Sequence, residues 1–181
     1  MHHHFSRNLK VKGLIESSSP SLVVELGTGG GENTEQLALL SDKVGFDLIA
    51  IDVILPVSEY KHPKLRWLQG VSYVELGKMG DASVDFCVLD TDHNYWTLKK
   101  ELEELRRVMT TGGIVAIHDT ESYKNDNGYM PSGYGQTGVD YPMEVMKRET
   151  RPYADAINDT IGDWEVVAKT KASCGAIALQ K

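Results

Sequence analysis

Cysteine is scarce in this chain, and long apolar runs are missing from it. The two cysteines, Cys87 and Cys174, have no Cys-x-x-Cys partner, so neither a zinc site nor a disulfide scaffold is supported. No apolar stretch approaches the roughly 20 residues that a transmembrane helix requires. The opening residues, Met-His-His-His-Phe, lack the apolar core of a signal peptide. A cytoplasmic protein without a membrane partner is therefore expected.

Positive charge is also in short supply. The chain has 19 Lys and Arg against 26 Asp and Glu, which gives a net charge of −7 at pH 7. Broad binding to nucleic acids or anionic membranes needs a positive surface, so neither partner is expected. One group of basic residues does lie close together in the sequence, and we interpret it as the solvated face of a helix: Lys99, Lys100, Arg106 and Arg107.

Apolar runs alternate with helical patterns along the chain, which is typical of a parallel α/β sheet. The length of 181 residues and a hydrophobic fraction of 41% indicate one domain, 1–181, with a real core. Residues 1–20 hold a leading helix, and His2–His4 are either native or a tag remnant. Gly112-Gly113 is predicted to end a helix and turn into the next strand. The predicted strands are 21–26, 48–53, 65–68, 84–89, 114–117, 164–168 and 176–179, the last two an antiparallel hairpin, and the predicted helices are 5–17, 33–40, 73–79, 95–109 and 142–151.

A glycine-rich turn, Gly27-Thr28-Gly29-Gly30-Gly31, joins the first predicted strand to a helix. Such a turn lets a ligand approach the backbone and points the N–H groups of the helix start at it. Asp52 ends the second strand, where a carboxylate can accept hydrogen bonds from two ribose hydroxyls. A dinucleotide-binding turn reads Gly-x-Gly-x-x-Gly, but Glu32 occupies the place of its third glycine. The pattern is instead an acid followed by alternate glycines: Glu25, Gly27, Gly29 and Gly31.

A second signature follows. Residues 84–95 read Val-Asp-Phe-Cys-Val-Leu-Asp-Thr-Asp-His-Asn-Tyr, and residues 112–120 read Gly-Gly-Ile-Val-Ala-Ile-His-Asp-Thr. With the glycine turn, the chain resembles the class I S-adenosylmethionine-dependent methyltransferases over roughly residues 22–120. It is similar in particular to the small-molecule and sugar O-methyltransferases related to macrocin and caffeoyl-CoA O-methyltransferases, and to cephalosporin-hydroxylase-type proteins. The resemblance implies a Rossmann-like fold with helices on both faces of a mostly parallel seven-stranded sheet.

The resemblance also implies S-adenosylmethionine as cofactor and a small hydroxylated molecule as methyl acceptor. Glu25 would orient the glycine loop and reach the amino-acid end of the cofactor, and Gly70 and Ser72 would contact the adenine. The predicted cofactor-binding residues are Glu25, Gly27, Thr28, Gly29, Gly31, Asp52, Gly70, Ser72 and Asp90. The loop 120–140 is either a lid on the acceptor side or a surface loop, and the tyrosines that could form the lid are Tyr123, Tyr129, Tyr134 and Tyr141.

Two acids end neighbouring predicted strands. Asp90 and Asp119 are expected at one edge of the sheet, where they could hold Mg²⁺ or another divalent cation. His93 is predicted to be the general base that takes the proton of the acceptor hydroxyl. Alternatives stay open: Asp90 could cap a turn or contact the cofactor, His93 could merely hydrogen-bond near the helix start, and Asp92 is interpreted as a cap. His118 and Thr120 depart from relatives with an acid and an Asn there, so a third protein metal ligand is not identified.

Three functions compete at this point. The first is O-methyl transfer, and the second is a methyltransferase fold that binds the cofactor but acts as a partner or regulator. The third is a nicotinamide-dependent oxidoreductase, against which Glu32 and the closing hairpin argue. No readable pattern names the acceptor, and a homo-oligomer stays open.

Overall fold

The computed structural model describes residues 10–56, 59–121, 152–172 and 174–181. A leading helix is followed by strands that alternate with helices, and an antiparallel strand pair closes the chain. The elements in chain order are α1 (Val11–Ser18), β1 (Leu22–Leu26), α2 (Glu32–Val44), β2 (Asp47–Asp52), β3 (Leu65–Gln69), α3 (Ser72–Gly77), β4 (Val84–Leu89), α4 (Tyr95–Val108), β5 (Met109–His118), α5 (Asp155–Ile161), β6 (Glu165–Thr170) and β7 (Ala176–Gln180).

The strands form one seven-stranded sheet in the order β3-β2-β1-β4-β5-β7-β6. Strands β1 to β5 are parallel to one another, and β7 runs antiparallel between β5 and β6. The predicted architecture, a mostly parallel sheet of seven strands with a closing antiparallel hairpin, is therefore confirmed.

Buried apolar side chains cover both faces of the sheet, as predicted. On one face α3, α4 and α5 pack through residues such as Leu76, Leu102 and Ile157. On the other face α1 and α2 pack through Ile15 and Leu37. The central strands are thus buried on both sides, which explains why β1 and β4 are mostly apolar rather than alternating, each with a single acid, Glu25 and Asp85.

The boundary between α4 and β5 lies earlier than predicted. Gly112-Gly113 was predicted to end the helix, and this prediction was wrong. Helix α4 ends at Val108, and β5 begins directly at Met109. The register between β4 and β5 shifts between Val84 and Phe86, and Gly112 has a φ of +83°. The glycine pair therefore lies inside the strand and accommodates this irregularity.

Other differences concern the helices. The described part of the predicted leading helix begins at Val11, and α5 was not predicted. The predicted helix 142–151 lies outside the described residues, as do Tyr123, Tyr129, Tyr134 and Tyr141 of the predicted lid.

Across the described ranges, no helix combines the length and the apolar character needed to cross a membrane.

Candidate functional site

The carboxyl ends of four parallel strands meet at one edge of the sheet. In register, Leu26 of β1 lies beside Ile51 of β2 and Leu89 of β4, and Leu89 lies beside Ile117 of β5. The residues that follow these positions are Gly27, Asp52, Asp90 and His118-Asp119. The topology therefore brings most of the predicted site residues together, at the edge where such sheets bind ligands.

The glycine turn begins with a close contact between backbones. Gly27 has a φ of +81°, and a Cβ placed on it would lie 2.6 Å from the carbonyl carbon of Asp90 and 2.8 Å from Cα of Thr91. Only glycine fits there, because any side chain would collide with backbone atoms. Gly29, with a φ of +50°, has open space where its Cβ would be. The left-handed φ of Gly29 thus favours glycine and leaves its upper side open, whereas packing against the segment after β4 explains Gly27.

The carboxylate of Asp52 holds this turn in shape. Its Oδ2 accepts hydrogen bonds from the backbone N–H groups of Thr28 (2.7 Å) and Gly29 (3.2 Å) and from the Thr28 hydroxyl (3.2 Å). Its Oδ1 accepts one from the N–H of Ile54 (3.0 Å). Contact with ribose hydroxyls was predicted for Asp52 and stays a prediction. The structure adds a second role, since the same carboxylate organises the glycine turn.

Glu25 is a carboxyl buried beneath the turn, with 1% of its surface exposed. Its Oε1 accepts a hydrogen bond from the side chain of Asn33 at 2.7 Å, whereas its buried Oε2 makes no hydrogen bond within the described part of the chain. Burial raises the pKa of Glu25 to about 7, although the side chains of Thr34 and Asn33 oppose this effect. Thr34 and Asn33 favour the ionised carboxyl, yet Oε2 still lacks a well-formed hydrogen bond, which is costly for a buried oxygen, so a cationic group would fit there.

A cluster of acids and histidines lies beside the turn. Asp90, His93 and Asp119 each offer one ligand atom, and these atoms lie within 4.8 Å of one another. The imidazole Nε2 of His93 is 2.7 Å from Oδ2 of Asp119 and 3.3 Å from Oδ1 of Asp90. Nδ1 of His118 is 3.4 Å from Oδ2 of Asp90 and 3.3 Å from Oδ1 of Asp119. The predicted pair of acids therefore converges, and His93 lies between them.

The charges of this cluster stabilise one another. Burial acts to lower the pKa of His93, but the carboxylates of Asp119 and Asp90 outweigh it and raise that pKa to about 10. Burial acts to raise the pKa of Asp90, but the imidazoles of His118 and His93 lower it to about 2. With only these protein groups around it, His93 is an imidazolium at neutral pH and holds the proton that a general base would have to accept.

The segment that carries His93 is held by the start of α4. The Asn94 side chain accepts a hydrogen bond from the N–H of Thr97 at 2.9 Å and caps the helix. Asp92 accepts hydrogen bonds from the side chains of Asn94 (2.6 Å) and Thr97 (3.2 Å). It supports the cap but is not the cap, which corrects its interpretation, because the residue directly before the helix is Asn94. The ring of Tyr153 contacts the His93 ring edge-on, with 5.8 Å between centroids. No sequence signal had indicated Tyr153.

Gly70 and Ser72, which were predicted to contact the adenine, lie in the segment that follows β3. Gly70 donates its N–H to the carbonyl of Asp52 at 2.9 Å, which ties this loop to the end of β2. The Ser72 hydroxyl donates to Oε1 of Glu101, a fully buried residue of α4 that sequence reasoning missed. A signal existed: Glu101 stands three residues after Leu98 and four before Leu105, inside the apolar stripe of its helix.

An open α/β sheet with a glycine turn after β1, an acid at the end of β2 and an antiparallel closing hairpin places the chain among the Rossmann-like α/β proteins, which bind ligands at the carboxyl edge of the sheet. Residues 24–120 match the family model for a methyltransferase domain, and the chain belongs to this methyltransferase family. No curated protein matches the chain by sequence.

Solved structures share the fold. A proposed caffeoyl-CoA O-methyltransferase from Staphylococcus aureus is 17% identical, with a TM-score of 0.63, over 95% of this chain and 81% of that one. The 1,6-didemethyltoxoflavin-N1-methyltransferase from Burkholderia thailandensis, solved with its substrate and S-adenosylhomocysteine, is 14% identical, with a TM-score of 0.64, over 98% and 78%. The MycE methyltransferase of mycinamycin biosynthesis, solved with Mg, S-adenosylhomocysteine and mycinamycin VI, is 18% identical, with a TM-score of 0.56, over 95% and 48%.

Proposed function

We propose that this chain transfers the methyl group of S-adenosylmethionine to a hydroxyl of a small acceptor, with a divalent cation held by Asp90, His93 and Asp119. The observation that carries the proposal is the convergence of these three side chains beside the glycine turn, at the carboxyl edge of a methyltransferase sheet.

The residues of the turn suit S-adenosylmethionine. Gly29 leaves open space above the backbone, and the start of a helix favours a negatively charged group such as the carboxylate of the cofactor's amino-acid end. The buried Oε2 of Glu25 suits the ammonium group of the same end. Asp52 lies at the end of β2, within reach of a ribose bound over the turn. When bound, the cofactor supplies a methyl group on a positively charged sulfur.

The acidic cluster suits a divalent cation. Two carboxylates and an imidazole are common ligands of such ions, and the cation would lower the pKa of an acceptor hydroxyl. Two neighbouring carboxylates would also hold the acceptor hydroxyl by hydrogen bonds and orient it. Because methyl transfer needs no covalent intermediate with the enzyme, orientation of this kind supplies much of the rate. The presence of Mg in the MycE structure supports the same assignment.

His93 cannot hold a cation and accept a proton through the same nitrogen, so its predicted role as general base and the role of ligand that the cluster suggests are separable. We favour the role of ligand, because Nε2 faces both Asp90 and Asp119. A His93→Ala variant should then bind Mn²⁺ at least tenfold more weakly, measured by electron paramagnetic resonance. If the variant binds Mn²⁺ normally but loses turnover, His93 is the base instead.

The same cluster of acids bears on which atom of the acceptor receives the methyl group. A hydroxyl must lose its proton to be methylated, and a cation with adjacent carboxylates assists that loss, whereas a neutral amine needs no such help. The fold alone does not distinguish the two, since the Burkholderia neighbour is an N1-methyltransferase. The acids therefore favour oxygen as the acceptor atom.

The test is transfer of a radiolabelled methyl group from S-adenosylmethionine to small acceptors with adjacent hydroxyls. We expect transfer that stops with EDTA and returns with Mg²⁺. Transfer that EDTA leaves unchanged would remove the cation from the proposal. Binding of S-adenosylhomocysteine without transfer to any acceptor would favour the competing function of a partner or regulator. Preferred binding of NAD would refute the cofactor assignment.

A further inference from the structure

Glu101 is an ionisable residue in an apolar environment. It lies on α4 with 0% of its surface exposed, among the leucines that pack this helix against the sheet. A glutamate is almost never fully buried unless it is paired, because desolvation of its carboxylate is costly. A leucine or methionine at this position would continue the apolar stripe without that cost. Packing of the helix therefore does not explain the carboxyl.

The two oxygens of Glu101 accept hydrogen bonds from two different loops. Oε1 accepts from the hydroxyl of Ser72, the first residue of α3. Oε2 accepts from the hydroxyl of Thr91 at 3.0 Å. Ser72 follows β3 on the side predicted to contact adenine, and Thr91 follows Asp90 of the acidic cluster. One buried side chain thus links the loops after β3 and after β4.

The link extends to the glycine turn. Gly27 packs so closely on the backbone of Asp90 and Thr91 that even a Cβ would collide with them. A displacement of Thr91 would therefore alter the support of the turn as well as the position of Asp90. The glycine turn and the segment after β4 therefore depend on the position of Thr91, which Glu101 holds by its side chain. Through Ser72 the same carboxyl also holds the loop after β3.

We propose that Glu101 is a positioning residue for the cofactor site: through Ser72 and Thr91 it fixes the spacing of the loops after β3 and β4, between which the cofactor would lie. The inference rests on the proposed function and extends it to a residue that does not touch the cofactor.

The test compares two substitutions in the full chain. Glu101→Gln keeps both hydrogen bonds, because its amide can accept from one hydroxyl and donate to the other. Glu101→Met keeps the length and the helix propensity but removes both bonds. Calorimetry with S-adenosylhomocysteine should show nearly unchanged affinity for Glu101→Gln and a loss of about tenfold for Glu101→Met, which corresponds to one misplaced hydrogen bond to the cofactor. The KM for S-adenosylmethionine should rise by a similar factor in Glu101→Met, with less change in kcat.

A matched control lies at the opposite edge of the sheet. Asp85 also links separate segments, since it accepts hydrogen bonds from the N–H groups of Ser21 (2.8 Å) and Leu22 (3.1 Å) and from the Thr110 hydroxyl (3.1 Å). Asp85→Ala should lower the melting temperature without a change in cofactor affinity. Thr91→Val is a second variant that removes one of the two bonds from the other side. It should weaken binding in the wild-type background but add little to Glu101→Met, because both changes break the same link.

A measurement on the cofactor-free protein separates this inference from the proposed function. Hydrogen exchange of the backbone amides at 70–72 and 90–94 should be faster in Glu101→Met than in the wild type, and unchanged in Glu101→Gln. A folded Glu101→Met variant with wild-type exchange and affinity would overturn the inference, and so would a folded Glu101→Gln variant that loses as much affinity as Glu101→Met. A wild-type chain that exchanges as expected but binds no S-adenosylhomocysteine would instead refute the proposed function.

Discussion

The Glu25→Gln substitution removes a buried ionisable group from beneath the glycine turn with little change in shape. Burial raises the pKa of Glu25 to about 7, so the group is partly protonated at neutral pH in the free protein. If Glu25 binds the ammonium of the cofactor, its ionised form is the one that binds. The apparent affinity for S-adenosylhomocysteine should therefore rise with pH, because affinity scales with the fraction of protein in the competent form.

The size of the effect follows from this pKa. With a pKa near 7, the ionised fraction increases about tenfold between pH 6 and pH 8, and so should the affinity of the wild type. Glu25→Gln should show a flat profile over this range. At pH 8 it should bind more weakly than the wild type by roughly 1.5–3 kcal/mol, the contribution of a hydrogen bond to a charged group.

Isothermal titration calorimetry measures both quantities. Titrations of the wild type at pH 7 in buffers of different ionisation heat should also show release of about half a proton, because the cofactor's ammonium favours the carboxylate. Glu35→Gln is the matched control, since Glu35 is an exposed glutamate in the first turn of α2, just after the glycine turn, and its profile should follow the wild type. An equal pH dependence in wild type and Glu25→Gln would refute the reasoning.

Three further predictions concern the supports of the site. Asp52→Ala should weaken binding of S-adenosylhomocysteine by about 1–3 kcal/mol in calorimetry, because it removes the proposed ribose acceptor and the carboxylate that holds the glycine turn; unchanged affinity would exclude the ribose contact. Gly27→Ala should lower the melting temperature and abolish cofactor binding, because its Cβ would lie 2.6 Å from the carbonyl carbon of Asp90; a normally stable, binding-competent variant would contradict this. Burial raises the pKa of Glu101 from its ordinary value of 4.5 to about 8 in the folded protein. Between these two pH values the folded protein binds a proton that the unfolded chain has released, so the free energy of unfolding falls as the pH rises. In urea unfolding, the free energy of unfolding of the wild type should fall by about 3 kcal/mol more than that of Glu101→Gln between pH 5 and pH 8, and equal pH dependence in the two proteins would contradict this.

The parts of the fold that depend on local pattern could be predicted from the sequence. Strand β4 was predicted with its observed bounds, Val84–Leu89, because a buried parallel strand is a short apolar run bounded by polar residues. The start of β5 could not be read in this way. Thr110 to Gly113 has no strand pattern of its own, and its pairing depends on β4 and on the C-terminal residues, as in the bond from the Gly112 N–H to the carbonyl of Lys181.

The candidate site could likewise be predicted only in part from the sequence. Convergence of Asp90 and Asp119 followed from the rule that parallel strands end at one edge. The position of His93 between them, 2.7 Å from Asp119, depends on the path of the chain into α4, which no spacing rule supplies. The binding of Asp52 to the turn joins residues 24 apart. Glu101 was missed because a charged residue is ordinarily assigned to the solvent face of a helix.

The backbone conformation at Asp119 restricts which residues can occupy this position, independently of the charge of its side chain. Its φ of +60° is in the left-handed region, which Gly, Asn and Asp tolerate and which costs most other residues about 1–3 kcal/mol. Among these three residue types only Asp carries a carboxylate, so Asp is the residue that combines an unstrained turn with a negative charge at this position. Exchange of Asp119 for Asn or Gly would therefore remove the carboxylate from the sheet edge with little strain in the backbone.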